Sequence, residues 1–267
     1  MSKAGKLYTI ITTVLSRPKT LLHVIDEETD FKKHVRKKFP EFANGLPVID
    51  LLDLFPGFNE IVEPYSFLDG TSLPLDLAVL RSLAKKFDNC RYLEIGTWRG
   101  ESVANVAGVA GECVTINLPD EEMRQRGLGA DYIGLHRFFS KNLKNVKHIQ
   151  HDSHTFDYSS LGKFDLVFVD GDHHYESVKR DTENILKLLK DERSVVVWHD
   201  YAFNPEKIRY AVLAGILDGA GAYRNNIYHV SNTLCAVLMK NSPQASLLVP
   251  NQRPAKVFSL KINATKL

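Results

Sequence analysis

From Arg91 onward the chain alternates short oily runs with longer stretches of helical periodicity. Strands are expected at RYLEI (91–95), CVTINL (113–118), VKHIQ (146–150), FDLVFV (164–169) and SVVVW (194–198). These runs are largely continuous in their apolar character, the pattern of strands covered by helices on both faces. ESVKRDTENILKLLK (176–190) places Val178, Ile185, Leu188 and Leu189 on one side of a helix and charges elsewhere. Such a helix can carry a right-handed crossover, so the strands at 164–169 and 194–198 are expected as parallel neighbours. The fold class that follows is α/β, a doubly wound and mostly parallel sheet of Rossmann-like type.

Around that sheet, SLPLDLAVLRSLAKKF (72–87) reads as a helix with Pro74 near its start. NPEKIRYAVLAGIL (204–217) reads as another, and NIYHV (226–230) with TLCAVLM (233–239) as a closing antiparallel pair. Residues 1 to about 64 are expected to be largely helical. The basic run FKKHVRKKF (31–39) spaces Phe31, Val35 and Phe39 four apart, which suits the buried side of a helix with a solvated basic face; a membrane-surface or anionic-ligand patch is the competing reading. The domain division is then 1–70 as a helical extension or lid, 71–242 as the main domain and 243–267 as a tail.

Composition changes this picture little. With 267 residues, 44% hydrophobic and 25% charged, the chain suits one large domain with additions. A net charge of +2 gives no general electrostatic case for nucleic acid. The apolar stretch Leu7 to Leu15 is too short to span a bilayer and ends at Arg17 and Pro18 without a small-residue cleavage site. Cys90, Cys113 and Cys235 show neither metal-ligand nor disulfide spacing and are expected as core residues of a reducing, cytoplasmic compartment.

The chemistry sits where oily runs end. FVDGDHHY (168–175) puts two acids and two histidines behind one strand, and VVVWHDY (195–201) puts a histidine and an acid behind the next. Each cluster alone reads equally well as an Asx-type turn. At adjacent strand ends, about 5 Å apart, Asp170, His199 and Asp200 can converge on one metal ion. Of His173 and His174, one is expected to face the site and the other solvent, while Tyr175 and Tyr201 are either substrate walls or packing. The first strand leads into LEIGTWRGES (93–102), where a strand, two glycines and a helix start make room for a nucleotide-like ligand. The spacing is G-x-x-x-G, not the G-x-G-x-x-G of nicotinamide binders.

LEIGTWRGES, DSHTFD (152–157), DLVFVDGDHHYESV and VVVWHDY together resemble the class I S-adenosylmethionine-dependent methyltransferases over roughly 70–240. More narrowly they look like the metal-dependent O-methyltransferase branch, with its macrolide sugar methyltransferases, catechol methyltransferase and cephalosporin hydroxylase-like relatives. The resemblance implies that Glu94, Gly96, Thr97, Gly100 and Ser102 form the loop for the methionine portion. Asn117 stands where the family usually has an acid for the ribose hydroxyls, with Asp120 as a substitute. Asp152 and Ser153 match the adenine position, Phe156 packs beside them, and Asp170 counts among both cofactor and metal contacts.

The activity implied is methyl transfer from S-adenosylmethionine to a hydroxyl of a small molecule or sugar, assisted by a divalent metal. Hard oxygen ligands suit Mg²⁺ or Mn²⁺, and an imidazole tilts the choice towards Mn²⁺. Asp170 and His173 are the catalytic candidates, His173 as general base. The segment EPYSFLDGTSLP (63–74) is either a lid, with Tyr65 or Phe67 on the ligand, or a packed linker. No nucleic acid and no membrane span are expected, and a homodimer is open. The alternatives are a non-haem iron oxygenase and a non-catalytic S-adenosylmethionine-binding protein.

Overall fold

The computed structural model describes residues 27–240, 244–249 and 251–266, together with Gly5, Tyr8 and Thr12. The apolar stretch 7–15 therefore lies outside the described residues apart from Tyr8 and Thr12. Along the chain the strands are β1 (Val48–Ile49), β2 (Arg91–Ile95), β3 (Glu112–Asn117), β4 (Val146–Gln150), β5 (Leu166–Val169), β6 (Val195–Trp198), β7 (Ala202–Asn204), β8 (Lys207–Ile208), β9 (Ile227–Val230), β10 (Ala236–Leu238) and β11 (Ala245–Ser246). From residue 27 on, the α-helices among the described residues are α1 (Glu27–Lys38), α2 (Leu51–Leu54), α3 (Pro74–Ala84), α4 (Glu101–Ala107), α5 (Asp120–Gln125), α6 (Ala130–Leu135), α7 (Tyr175–Ile185) and α8 (Tyr210–Gly219).

Nine strands form one sheet in the order β11-β1-β9-β10-β6-β5-β2-β3-β4. One side of it, β6-β5-β2-β3-β4, is parallel throughout. β10 then runs antiparallel to both β6 and β9. The order reverses between β2 and β5, which places a switch point at the carboxyl ends of these strands. The sheet also takes in β1 from before residue 71 and β11 from after residue 242.

Successive strand residues feed two cores, which is why the runs are oily without alternation. Leu93, Ile95, Val167, Val169, Val196 and Trp198 pack with Val35 of α1, with Phe39 just after it, and with α7 and α8. Tyr92, Leu166, Phe168, Val195 and Val197 pack with α3 and α4 on the other face. In α1, Val35 is wholly buried and Phe31 partly so, as the four-residue spacing predicts, while His34 and Lys38 pair with Asp218 of α8. All three cysteines are buried and free. Among the described residues no helix is long and apolar enough to cross a membrane.

Three local expectations fail for identifiable reasons. The segment 204–209 is not helical: Pro205 has no N–H to give, the Asn204 side chain accepts from Glu206 N at 3.0 Å, and the resulting turn joins β7 to β8 before α8 begins at Tyr210. The helix after β5 ends at Ile185 and continues only as a 3₁₀ turn, Leu186–Leu188. Before α3, the prolines at 40, 47, 56 and 64 and the glycines at 45 and 57 break the expected helix, leaving α1, α2, a 3₁₀ turn at Pro40–Phe42 and extended chain.

Candidate functional site

The loops that leave the carboxyl ends of β2, β3, β4, β5 and β6 open onto one cleft of about 800 Å³. That is the size of a site that encloses a cofactor-sized ligand. Each strand contributes in turn: Gly96 and Thr97, Asn117, Asp152 and Ser153, Asp170 and His173, then His199 and Asp200.

Gly96 is required by close approach. Its φ is +86°, and a Cβ there would stand 2.1 Å from the Asp170 carbonyl oxygen, so the β2 and β5 loops can lie against each other only over glycine. Gly100, at φ +79°, similarly leaves no room beside the Ser140 hydroxyl. Glu94, Gly100 and Ser102 do not line the cleft; they stand behind its wall. Glu94 is wholly buried, its Oε2 accepts from the Tyr92 hydroxyl at 2.6 Å, and its Oε1 has no partner. Burial pushes its carboxyl from 4.5 up to about 8, against the hydrogen bond from Tyr92.

The Asn117 Oδ1 accepts from Thr97 N at 3.3 Å, which ties the ends of β2 and β3 together. Asp120 is held by Arg137 at 2.9 Å and accepts from Gln150 at 2.8 Å, and it does not line this cleft. Asp152 does: its Oδ1 accepts from His154 N at 2.8 Å in an Asx turn, yet the residue stays at the cleft wall. Phe156 lies behind it, edge-on to Tyr158.

At the other end of the cleft, four groups meet. Ligand atoms of Asp170, His173 and Asp200 lie within 4.8 Å of one another. His173 Nε2 is 3.0 Å from Asp200 Oδ2, and His199 Nδ1 is 3.0 Å from Asp170 Oδ1 and 3.7 Å from Asp200 Oδ2. His199 is buried and its Nδ1 makes no hydrogen bond of acceptable geometry despite the short separation. Burial opposes charge on His199, but Asp170, Asp200 and Asp76 outweigh it and raise its pKa well above the usual histidine value. Burial also opposes charge on His173, and Asp200 again prevails, raising it. Asp200 is held well below the carboxylate range by the two histidines, against burial. Two carboxylates with imidazole nitrogens between them are a donor set that a divalent cation fits, the cation taking the place of the proton that His199 Nδ1 otherwise holds towards Asp170.

His174 points away, its side chain 80% exposed and paired with Asp172. Tyr201 and Tyr175 are packing residues. Tyr201 is fully buried with its hydroxyl accepting from Leu46 N at 3.0 Å, and Tyr175 stacks on Phe31 at 5.0 Å while donating to Asp218. The 63–74 segment does reach the cleft, through Asp69, Gly70 and Thr71. Arg99 clamps it by donating to Asp69 O and to the Thr71 hydroxyl. Tyr65 and Phe67 instead pack on each other, 4.5 Å apart.

Sequence reasoning missed Asp76 and Asp181. Asp181 is buried on α7, lines the cleft, and has its carboxyl pushed up to about 6 by burial. Each was legible as an acid on an apolar helix face: Asp76 with Leu80 and Leu83, Asp181 with Val178 and Ile185. The aromatic wall of Trp98, Tyr132 and His136 was missed as well, because Trp98 comes from the loop after β2 whereas Tyr132 and His136 lie in and at the end of α6.

Residues 93–201 match a family described as Methyltransferase domain, a segment holding less than half of the chain but all five cleft loops. A curated relative, the uncharacterized protein R132 of Acanthamoeba polyphaga mimivirus, is 24% identical in an alignment of 152 residues that covers 51% of this chain. The chain spans 65% of that relative's length. Among solved structures, the S-adenosylhomocysteine-bound methyltransferase PaMTH1 of Podospora anserina aligns over 81% of this chain and 88% of its own, at 18% identity and a TM-score of 0.42. The calicheamicin methyltransferase CalS11 aligns over 63% and 78%, at 12% identity and a TM-score of 0.44. The sheet order places the fold in the α/β class, and residues 93–201 are the part of it that is similar to methyltransferase domains.

Proposed function

We propose that the protein is an S-adenosylmethionine-dependent methyltransferase that methylates a hydroxyl of a small molecule or sugar with help from a divalent cation. The observation that carries this reading is the shared cleft. One end is built by the Gly96 loop, Asn117 and Asp152, and the other by Asp170, His173, His199 and Asp200 at the ends of neighbouring strands. The methyltransferase-domain match over 93–201 supports the choice of cofactor.

When bound, S-adenosylmethionine supplies the methyl group and Mg²⁺ or Mn²⁺ supplies Lewis acidity towards the acceptor hydroxyl. Asp170, Asp200 and His199 would hold the cation, with His173 beside them. Gly96 and Thr97 give backbone to the methionine portion, Asn117 its amide to the ribose and Asp152 with Ser153 their polar groups to the adenine. The chain's main contribution is alignment and exclusion of water, since two reactants held in one cleft react with a large entropic advantage. His173 is the proton acceptor in this reading. Its Nε2 stands 3.0 Å from Asp200 Oδ2, which keeps the imidazole at the cation end of the cleft.

The test is S-adenosylhomocysteine release with a panel of hydroxylated acceptors, with Mn²⁺ and with chelator. Metal-dependent release that is abolished in Asp170→Ala supports the proposal. If His173→Ala then turns over unchanged, the cation alone activates the acceptor. Two histidines and one carboxylate, a set that His173, His199 and Asp200 could supply, also suit non-haem iron. Fe²⁺-dependent oxygen consumption without S-adenosylhomocysteine would move the assignment to an oxygenase.

A further inference from the structure

Asp76 lies on the first turn of α3, distant in sequence from every strand-end loop, and is completely buried. Its Oδ2 accepts from Leu73 N at 3.0 Å, closing the start of α3, and its Oδ1 accepts from Leu234 N at 3.0 Å, in the turn before β10. Two backbone donors from separate parts of the chain therefore fix the carboxylate in place. The third contact is His199 Nε2, 3.1 Å from Oδ2.

A carboxylate flanked by two N–H donors can only accept from the imidazole, so Nε2 carries a proton. That leaves Nδ1 as the nitrogen facing Asp170 and Asp200, and Nδ1 is the buried atom without a hydrogen bond. We propose that Asp76 is a positioning residue that sets the tautomer and ring orientation of His199, so that Nδ1 presents its lone pair to a divalent cation shared with Asp170 and Asp200. The arrangement obeys a general rule: the non-ligating nitrogen of a metal-bound histidine donates to a carboxylate or carbonyl, which fixes the ring and raises its basicity. Asp76 touches neither acceptor nor cofactor and acts only through His199. It also makes the cation site depend on α3, which follows directly on the cleft-lining segment Asp69–Thr71.

This inference rests on the cation site proposed above, and the experiment separates the two. Mn²⁺ binding to the full chain is followed by electron paramagnetic resonance for wild type and Asp76→Asn, with thermal unfolding recorded alongside. The Asn amide can donate to Nε2 and so favours a proton on Nδ1, where the cation would sit. The expected result is Mn²⁺ affinity about 10- to 100-fold weaker in Asp76→Asn, with unfolding still cooperative. Wild-type affinity in the variant overturns the role of Asp76 and leaves the cation site standing. No Mn²⁺ binding to wild type overturns both, and makes His199 a buried structural cation between its acids. Because Asp76→Asn loses one backbone hydrogen bond and can fail to fold, the ring ¹⁵N resonances of His199 in Mg²⁺-loaded wild type give an independent answer. A proton on Nε2 and none on Nδ1 is expected, and a proton on Nδ1 overturns the proposal.

Discussion

Replacing Glu94 by Gln converts a buried carboxyl into a neutral amide of the same shape. Glu94 is wholly enclosed, keeps one oxygen on the Tyr92 hydroxyl at 2.6 Å and leaves the other without a partner. Burial pushes its pKa from 4.5 up to about 8. The folded protein therefore holds a proton through this interval that the unfolded chain has released. By linkage the fold's stability is unaffected by this group below about 4.5, declines as pH rises towards about 8, and is flat above it. At about 1.4 kcal/mol per pH unit the full decline is at most about 5 kcal/mol. Gln has no proton to lose. Glu94→Gln should thus match wild type near pH 5 and exceed it progressively up to about pH 8, as read by urea unfolding at a series of pH values. Parallel wild-type and variant curves from pH 5 to 8 would refute the reasoning, since Glu94 would then be ionised in the folded protein throughout.

Three further outcomes are expected. Asp170→Ala should weaken Mn²⁺ binding by at least about tenfold, whereas His174→Ala, at a side chain 80% exposed and turned from the site, should leave it unchanged; calorimetric titration of the pair checks this. Tyr201→Phe strands the buried Leu46 N–H and should cost about 1–3 kcal/mol in unfolding experiments, with no change in S-adenosylmethionine affinity because Tyr201 does not line the cleft. Native protein should show no thiol titre with a disulfide reagent until it unfolds: burial pushes the Cys90 thiol up to about 12 and raises Cys113 and Cys235 as well.

Much of this fold is written in local pattern. Strands β2, β3, β5 and β6 were legible because each is a short oily run closed by a turn or polar residue, Gly96, Asn117, Asp170 and His199, and the pairing of β5 with β6 followed from a single crossover helix. The strand-end chemistry was legible for the same reason, since Asp170, His199 and Asp200 directly follow strands. What the sequence concealed are contacts between distant segments. β1 joins the sheet through β9 although it is two residues long and lies between a turn and the short helix α2. The Pro205 turn carries helical-looking neighbours, and only the Asn204 side chain, bonding Glu206 N, decides for a hairpin. Asp76 meets His199 across 123 positions of chain, a separation that no spacing rule reaches.

The central claim is that the cleft above Gly96 takes S-adenosylmethionine, and calorimetric titration of the metal-free protein tests it most directly, in wild type and in Gly96→Ala. A Cβ at residue 96 would stand 2.1 Å from the Asp170 carbonyl oxygen and occupy a left-handed backbone position at φ +86°, so the β2 and β5 loops must separate. Saturable, one-to-one binding to wild type that is lost or greatly weakened in Gly96→Ala is the predicted result. No heat of binding to folded wild-type protein would contradict the account, and the groups around Asp170 and Asp200 would then need a different ligand.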